Sequence, residues 1–159
     1  MRLNDRHFMM IAIGLARRGH GNVSPNPSVG CVIVKDGAIV GRGWTQPGGR
    51  PHAETEAIGR AGRATQNATA YVTLEPCAHH GETPPCAQAI IDAGITRVVI
   101  GTGDPDPRVA GGGISMLRRA GIQVIENICC DSARDAALGF LIRLEKSRPM
   151  VTVKLATTL

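Results

Sequence analysis

Three side chains far apart along the chain restrict the folds open to it: His52, in Pro51-His52-Ala53-Glu54, and Cys77 and Cys86, which enclose the eight residues Ala78 to Pro85. One imidazole and two thiolates suit Zn²⁺, and a catalytic zinc site is held by three protein groups with a fourth position open to water. Any fold that uses such a site must bring position 52 within a few ångströms of positions 77 and 86. Glu54, two residues after His52, is too close in sequence to share the metal comfortably but is placed to reach a water bound to it. Its bland alternative is a helix-N-terminal carboxylate stabilised by the dipole.

The pattern along the chain supplies elements that can do this. Residues 4–18 carry Phe8, Ile11, Ala12 and Leu15 at helical spacing behind Asn4 as a cap, with Arg17 and Arg18 at the C-terminal end. Ser24-Pro25-Asn26-Pro27 reads as a loop. Val29–Lys35 and Ala38–Trp44 flank the hairpin signal Asp36-Gly37. A helix over about 53–62 starts at His52, so His52 and Glu54, at i and i+2, point in different directions. Ala68–Leu74 is a third strand, ended by Pro76, which leaves Cys77 at the strand's C-terminal edge, where open α/β sheets place ligands. Pro84-Pro85 starts a helix with Cys86 in its first turn; both ligand-bearing helices then aim their N-termini at the metal, favouring thiolate over thiol.

Arg97–Gly101 and Ile122–Ile125 are predicted strands on either side of a helix carrying Ile114, Met116, Leu117 and Ala120. Gly111-Gly112-Gly113 lacks the Walker lysine and the dinucleotide spacing, and is read as a hinge that lets a loop approach the site. Residues 131–146 form one last helix with Ala133, Ala136, Ala137, Phe140, Leu141 and Leu144 on a buried face. Met150–Leu155 alternates like a strand. Strands alternating with helices indicate an α/β domain with a mixed five-stranded sheet.

Composition narrows the class. The chain of 159 residues, 43% hydrophobic and 19% charged, is long enough for a single-domain core and not of disordered type. No apolar run reaches bilayer length and no signal-peptide pattern opens the chain, so a soluble cytoplasmic protein with no membrane partner is expected. Five cysteines, two wanted as thiolates, argue for a reducing compartment; Cys31, Cys129 and Cys130 read as core or surface thiols. A net charge of +5 is compatible with a phosphorylated substrate, but four aromatic residues (Phe8, Trp44, Tyr71, Phe140) are few for stacking bases, which argues against nucleic acid. A homo-oligomer, dimer or higher, is the expected assembly.

His-x-Glu followed by Pro-Cys and a second Cys is the signature of zinc deaminases, in which a Glu that is not a ligand shuttles protons. Here eight residues separate the cysteines instead of two. That long form, with Asn26-Pro27-Ser28-Val29-Gly30, Gly48-Gly49-Arg50-Pro51-His52-Ala53-Glu54 and Asp104-Pro105-Asp106-Pro107, resembles the deaminase domain of the bifunctional riboflavin-biosynthesis deaminase/reductases. The resemblance implies a cytidine-deaminase-like three-layer α/β/α sandwich. It also implies one Zn²⁺ on His52, Cys77 and Cys86, and Glu54 as the catalytic proton shuttle. The implied substrate is 2,5-diamino-6-(ribosylamino)pyrimidin-4-one 5′-phosphate, hydrolysed to the 5-aminouracil product and ammonia.

The same resemblance places Asn26, Ala53, His79, Asp104 and Asp106 at the substrate. Asn26 is equally suited to capping a turn, and His79 and the Asp104–Asp106 loop to ordinary loop hydrogen bonding. Glu82 stands where many relatives carry Lys or Arg, and Asp106 where Asn is usual; both add negative charge, so the phosphate must be met elsewhere, with Arg50, Arg108 or a neighbouring subunit as candidates. The resemblance further divides the chain into a deaminase domain, 1–147, and the start of a reductase domain, 148–159, whose NADPH site needs a longer chain. Two rival readings stay open: a deaminase of another nucleoside or base, which the long cysteine spacing disfavours, and a non-catalytic zinc-stabilised module, which ordinarily has four protein ligands.

Overall fold

A computed structural model describes residues 3–79, 84–105 and 110–157. Among these residues six α-helices and five strands follow one another in the order α1 (Leu3–Ala16), β1 (Gly30–Lys35), β2 (Ala38–Trp44), α2 (Ala53–Ala61), β3 (Thr69–Leu74), α3 (Cys86–Asp92), β4 (Arg97–Thr102), α4 (Gly112–Arg119), β5 (Gln123–Ile125), α5 (Cys130–Ala136) and α6 (Leu138–Lys146). The sheet runs β2-β1-β3-β4-β5; β1 is antiparallel to both neighbours, while β3, β4 and β5 are parallel. The mixed sheet follows from the connections: Asp36-Gly37, both at positive φ, closes a tight hairpin, whereas α3 and α4 are crossovers that return the chain parallel.

Period-two alternation distributes the strand side chains between two cores. Cys31, Ile33, Val72, Leu74, Val98 and Ile100 pack beneath α2, α3 and α4. Val32, Val34, Tyr71 and Val99 face α1 and α5. The result is the expected three-layer α/β/α arrangement; burying each large aliphatic side chain stabilises it by roughly 1.5–3 kcal/mol. Close backbone approach fixes the spacing: a Cβ on Gly43 would lie 2.1 Å from the carbonyl oxygen of Ala53, and one on Gly41 2.3 Å from that of Ala57, so β2 lies directly against α2. One buried polar cluster ties α1 to the sheet. Asp5, 1% exposed, accepts from the Tyr71 hydroxyl at 3.0 Å and from Arg97 Nη1 and Nη2 at 3.0 and 2.8 Å.

Three expectations need correction. The first helix begins at Leu3, so Asn4 lies inside its first turn and is not its cap. The helix read over 131–146 is two helices, broken at Ala137 (φ −105°, ψ 8°). His20 Nε2 bonds the Ala136 carbonyl at 2.8 Å, the oxygen that a continuous helix would offer to the Phe140 N–H, and that N–H turns to Ala137 O. Residues 150–155 form no strand, and Val151, Val153 and Leu155 are 78%, 74% and 86% exposed; without a neighbouring strand their backbone groups stay with water. At Gly113 the glycine run also serves close packing, since a Cβ there would lie 1.9 Å from Pro76 O.

Candidate active site

Loops at one end of the sheet assemble the site. Thr45, just past β2, accepts from the Val29 N–H at 3.0 Å and donates to Pro27 O at 3.0 Å, fastening the proline-rich loop that carries Asn26. Asn26 Nδ2 donates to Gly49 O at 2.7 Å and lies 3.3 Å from His52 Nε2. Gly49 has φ +90°, and a Cβ there would meet the Asn26 amide at 2.6 Å, so only glycine lets the two loops close on each other.

His52 is the residue immediately before α2 and Cys86 the first residue of α3, while Cys77 follows the end of β3. His52 Nδ1 lies 3.2 Å from Cys86 Sγ and 4.0 Å from Cys77 Sγ, and the three donor atoms all fall within 4.8 Å of one another. A tetrahedral Zn²⁺ with ordinary Zn–N and Zn–S bonds separates N from S by about 3.5 Å, a value these two distances bracket. The Cys86 N–H, at the start of α3, donates to Cys77 Sγ at 3.3 Å. Cys77 is lowered to about 4, first by the hydrogen bond from the Cys86 thiol and then by His52. Cys86 is raised, chiefly by that same bond and by burial. One imidazole and two thiols, with Cys77 already favouring the thiolate, are the donors that Zn²⁺ takes, so this set fits zinc.

Glu54 is 4% exposed. Burial pushes its carboxyl up to about 7, and His52 opposes the shift. A cavity of about 280 Å³ opens onto Glu54, His52 and Cys77, with Asn26, His79 and Asp104 also on its wall. The cavity thus gathers six of the nine residues singled out as site residues, with His79 exposed at its edge. Cys86 is buried, and Ala53 is buried in the core cluster that also holds Ala57 and Val72. Asp106, like Glu82 and Arg108, lies outside the described residues.

Sequence reasoning overlooked two parts of this wall. Glu75 is buried, and its carboxylate accepts from the N–H groups of Gly111 (3.1 Å), Gly113 (3.1 Å), Ile114 (3.3 Å) and Asp104 (3.5 Å). The glycine run therefore does cradle an anion, and the anion is the chain's own. Position next to Pro76-Cys77 was the available signal. The other omission is Phe140 and Arg143 of α6, which close the far side of the cavity; nothing in the local sequence marks them.

The zinc-binding region of cytidine and deoxycytidylate deaminases matches residues 2–102. This chain belongs to that deaminase family. The riboflavin biosynthesis protein RibD of Escherichia coli is 49% identical over 157 residues, covering 99% of this chain and 43% of that protein. The diaminohydroxyphosphoribosylamino-pyrimidine deaminase of Buchnera aphidicola is 46% identical over 147 residues, covering 92% of this chain and all of that one (100%). Among solved structures, RibD of Acinetobacter baumannii superposes with a TM-score of 0.87 at 49% identity, over 92% of this chain and 41% of that one. The chain thus spans about two fifths of the length of the RibD proteins it matches, and the whole of the shorter deaminase. Membership of this riboflavin-biosynthesis branch is what the long cysteine spacing foreshadowed. Among the described residues, no helix is long and apolar enough to cross a membrane.

Proposed function

We propose that this protein hydrolyses 2,5-diamino-6-(ribosylamino)pyrimidin-4-one 5′-phosphate to the 5-amino-6-(ribosylamino)uracil 5′-phosphate and ammonia, with one Zn²⁺ on His52, Cys77 and Cys86. The observation that carries the reading is the convergence of those three donors beside a buried carboxyl on a cavity wall. When bound, zinc supplies Lewis acidity and a water acidic enough to attack near neutral pH. The chain's own residues do the rest. Glu54, buried on the cavity wall two residues from His52, accepts the proton of the attacking water and returns protons to the ring nitrogen and the departing amine. The exocyclic C–N bond breaks as the carbonyl forms, and ammonia leaves. Asn26, bonded to Gly49 and beside His52, is placed to orient the pyrimidine edge. His79 and Asp104 lie on the wall toward the ribose, while Ala53 and Asp106 belong to the proposed contacts through the resemblance alone.

Three donors where a structural site uses four, and a buried acid with proton work to do, favour catalysis over a static module. Residues 1–147 are the deaminase unit of this reading. Residues 148–159 begin a reductase domain, as the partial coverage of the RibD relatives supports, and NADPH belongs only to a protein that carries that domain in full. A cytoplasmic homo-oligomer remains part of the proposal. Incubating zinc-loaded protein with the diaminopyrimidine ribotide, cytidine and adenosine is expected to release ammonia from the ribotide alone. Glu54→Gln keeps its zinc and loses turnover by at least about a hundredfold; ammonia release equal to the parent's refutes the assigned role.

A further inference from the structure

The catalytic cavity and a neighbouring one of about 310 Å³ share Pro25, Asn26, Phe140 and Arg143 along the ridge between them. Arg143 is exposed on that ridge but not loose. Its Nη2 donates to Pro25 O at 2.7 Å, and its guanidinium carbon lies 5.5 Å from the centroid of the Phe140 ring. Among the described residues it is paired with no carboxylate. A guanidinium carries five N–H donors in a planar fork, and the bond to Pro25 O uses one of them while holding the group in place beside the Phe140 ring. The positive end of α4, which could otherwise receive an anion, is saturated by Glu75.

We infer that Arg143 binds the anionic phosphate end of the substrate and so sets the preference for a phosphorylated over a dephosphorylated pyrimidine riboside. This rests on the deaminase reading above. The substrate then spans the cavity with its amine toward Glu54 and its phosphate against α6. A fork held by a carbonyl and a ring loses little freedom on binding, which is the condition for an effective phosphate contact.

The test gives zinc-loaded parent, Arg143→Gln and Arg143→Lys the ribotide and its dephosphorylated counterpart, and follows ammonia. In Arg143→Gln the ratio of kcat/KM for the phosphorylated over the dephosphorylated substrate falls about tenfold to a hundredfold, mostly through KM. Arg143→Lys, which keeps the charge without the fork, falls in between, and serves as the reading if Arg143→Gln does not fold. Inorganic phosphate inhibits the parent competitively and the Gln variant more weakly. A clamp on Pro25 alone lowers both substrates together, and an unchanged ratio overturns the inference while the parent's ammonia still upholds the deaminase reading. No ammonia from the parent on either substrate defeats both.

Discussion

Glu54 gives the fold a stability that depends on pH. Its folded value of about 7 lies above the ordinary 4.5, with burial the first cause, so the metal-free folded chain keeps a proton that the unfolded chain has released. The stability linked to this site is therefore full below about pH 4.5 and is lost as pH rises through 7, by about 3 kcal/mol for a shift of this size. A glutamine does not titrate. Metal-free Glu54→Gln is thus expected to match the parent in Tm near pH 4.5 and to exceed it at pH 8, measured by thermal melts across that range; a difference that does not grow with pH overturns this account. At this scale the sequence was informative about the donors, because His52, Cys77, Cys86 and Glu54 carry chemistry that few other arrangements use. It was silent on Arg143, an ordinary surface arginine until Pro25 and Phe140 place it.

Elements are positioned here by groups distant in sequence. The carboxylate of Glu75 satisfies N–H groups of α4 and of the loop before it, 29 to 39 residues further on. Removing it leaves several buried donors without a partner, and each such donor costs about 1–3 kcal/mol. Glu75→Ala is expected to lose at least about 3 kcal/mol in urea unfolding, and Glu75→Gln, which keeps one acceptor, distinctly less. Gly113→Ala, with its Cβ driven onto Pro76 O, pushes α4 away and lowers stability by a comparable amount. Strands and most helices were legible from period and punctuation, since these are local properties of the chain. The break between α5 and α6 was not, because the group that makes it, His20, lies 116 residues before Ala136. The alternating run at 150–155 misled for a related reason: periodicity reports which face could be buried, and burial requires a partner.

For the whole molecule, the Asp5–Tyr71–Arg97 cluster is the polar tie that joins α1 to the central strands β3 and β4. Arg97→Met strips a nearly fully buried carboxylate of its counter-ion, a loss of about 3 kcal/mol or more. For a domain of this size that lowers Tm by roughly 6–12 °C in a calorimetric scan. Because His52, Glu54 and Cys86 sit at the starts of α2 and α3, across the sheet from α1, kcat of the folded variant for the proposed reaction at 25 °C is expected to stay within about twofold of the parent's; a large fall would show that the two layers are coupled. The architecture was readable in advance as α/β with a mixed sheet, while the assignment of each helix to a layer needed the strand order.

That layering has a practical corollary. Odd and even positions along β1 report to different helices, Cys31 and Ile33 to the side bearing Glu54, Val32 and Val34 to the side bearing α1. A protein engineer can therefore repack the contact between α1 and the sheet for heat tolerance while leaving in place the side chains beneath α2 and α3, whose first turns carry His52, Glu54 and Cys86.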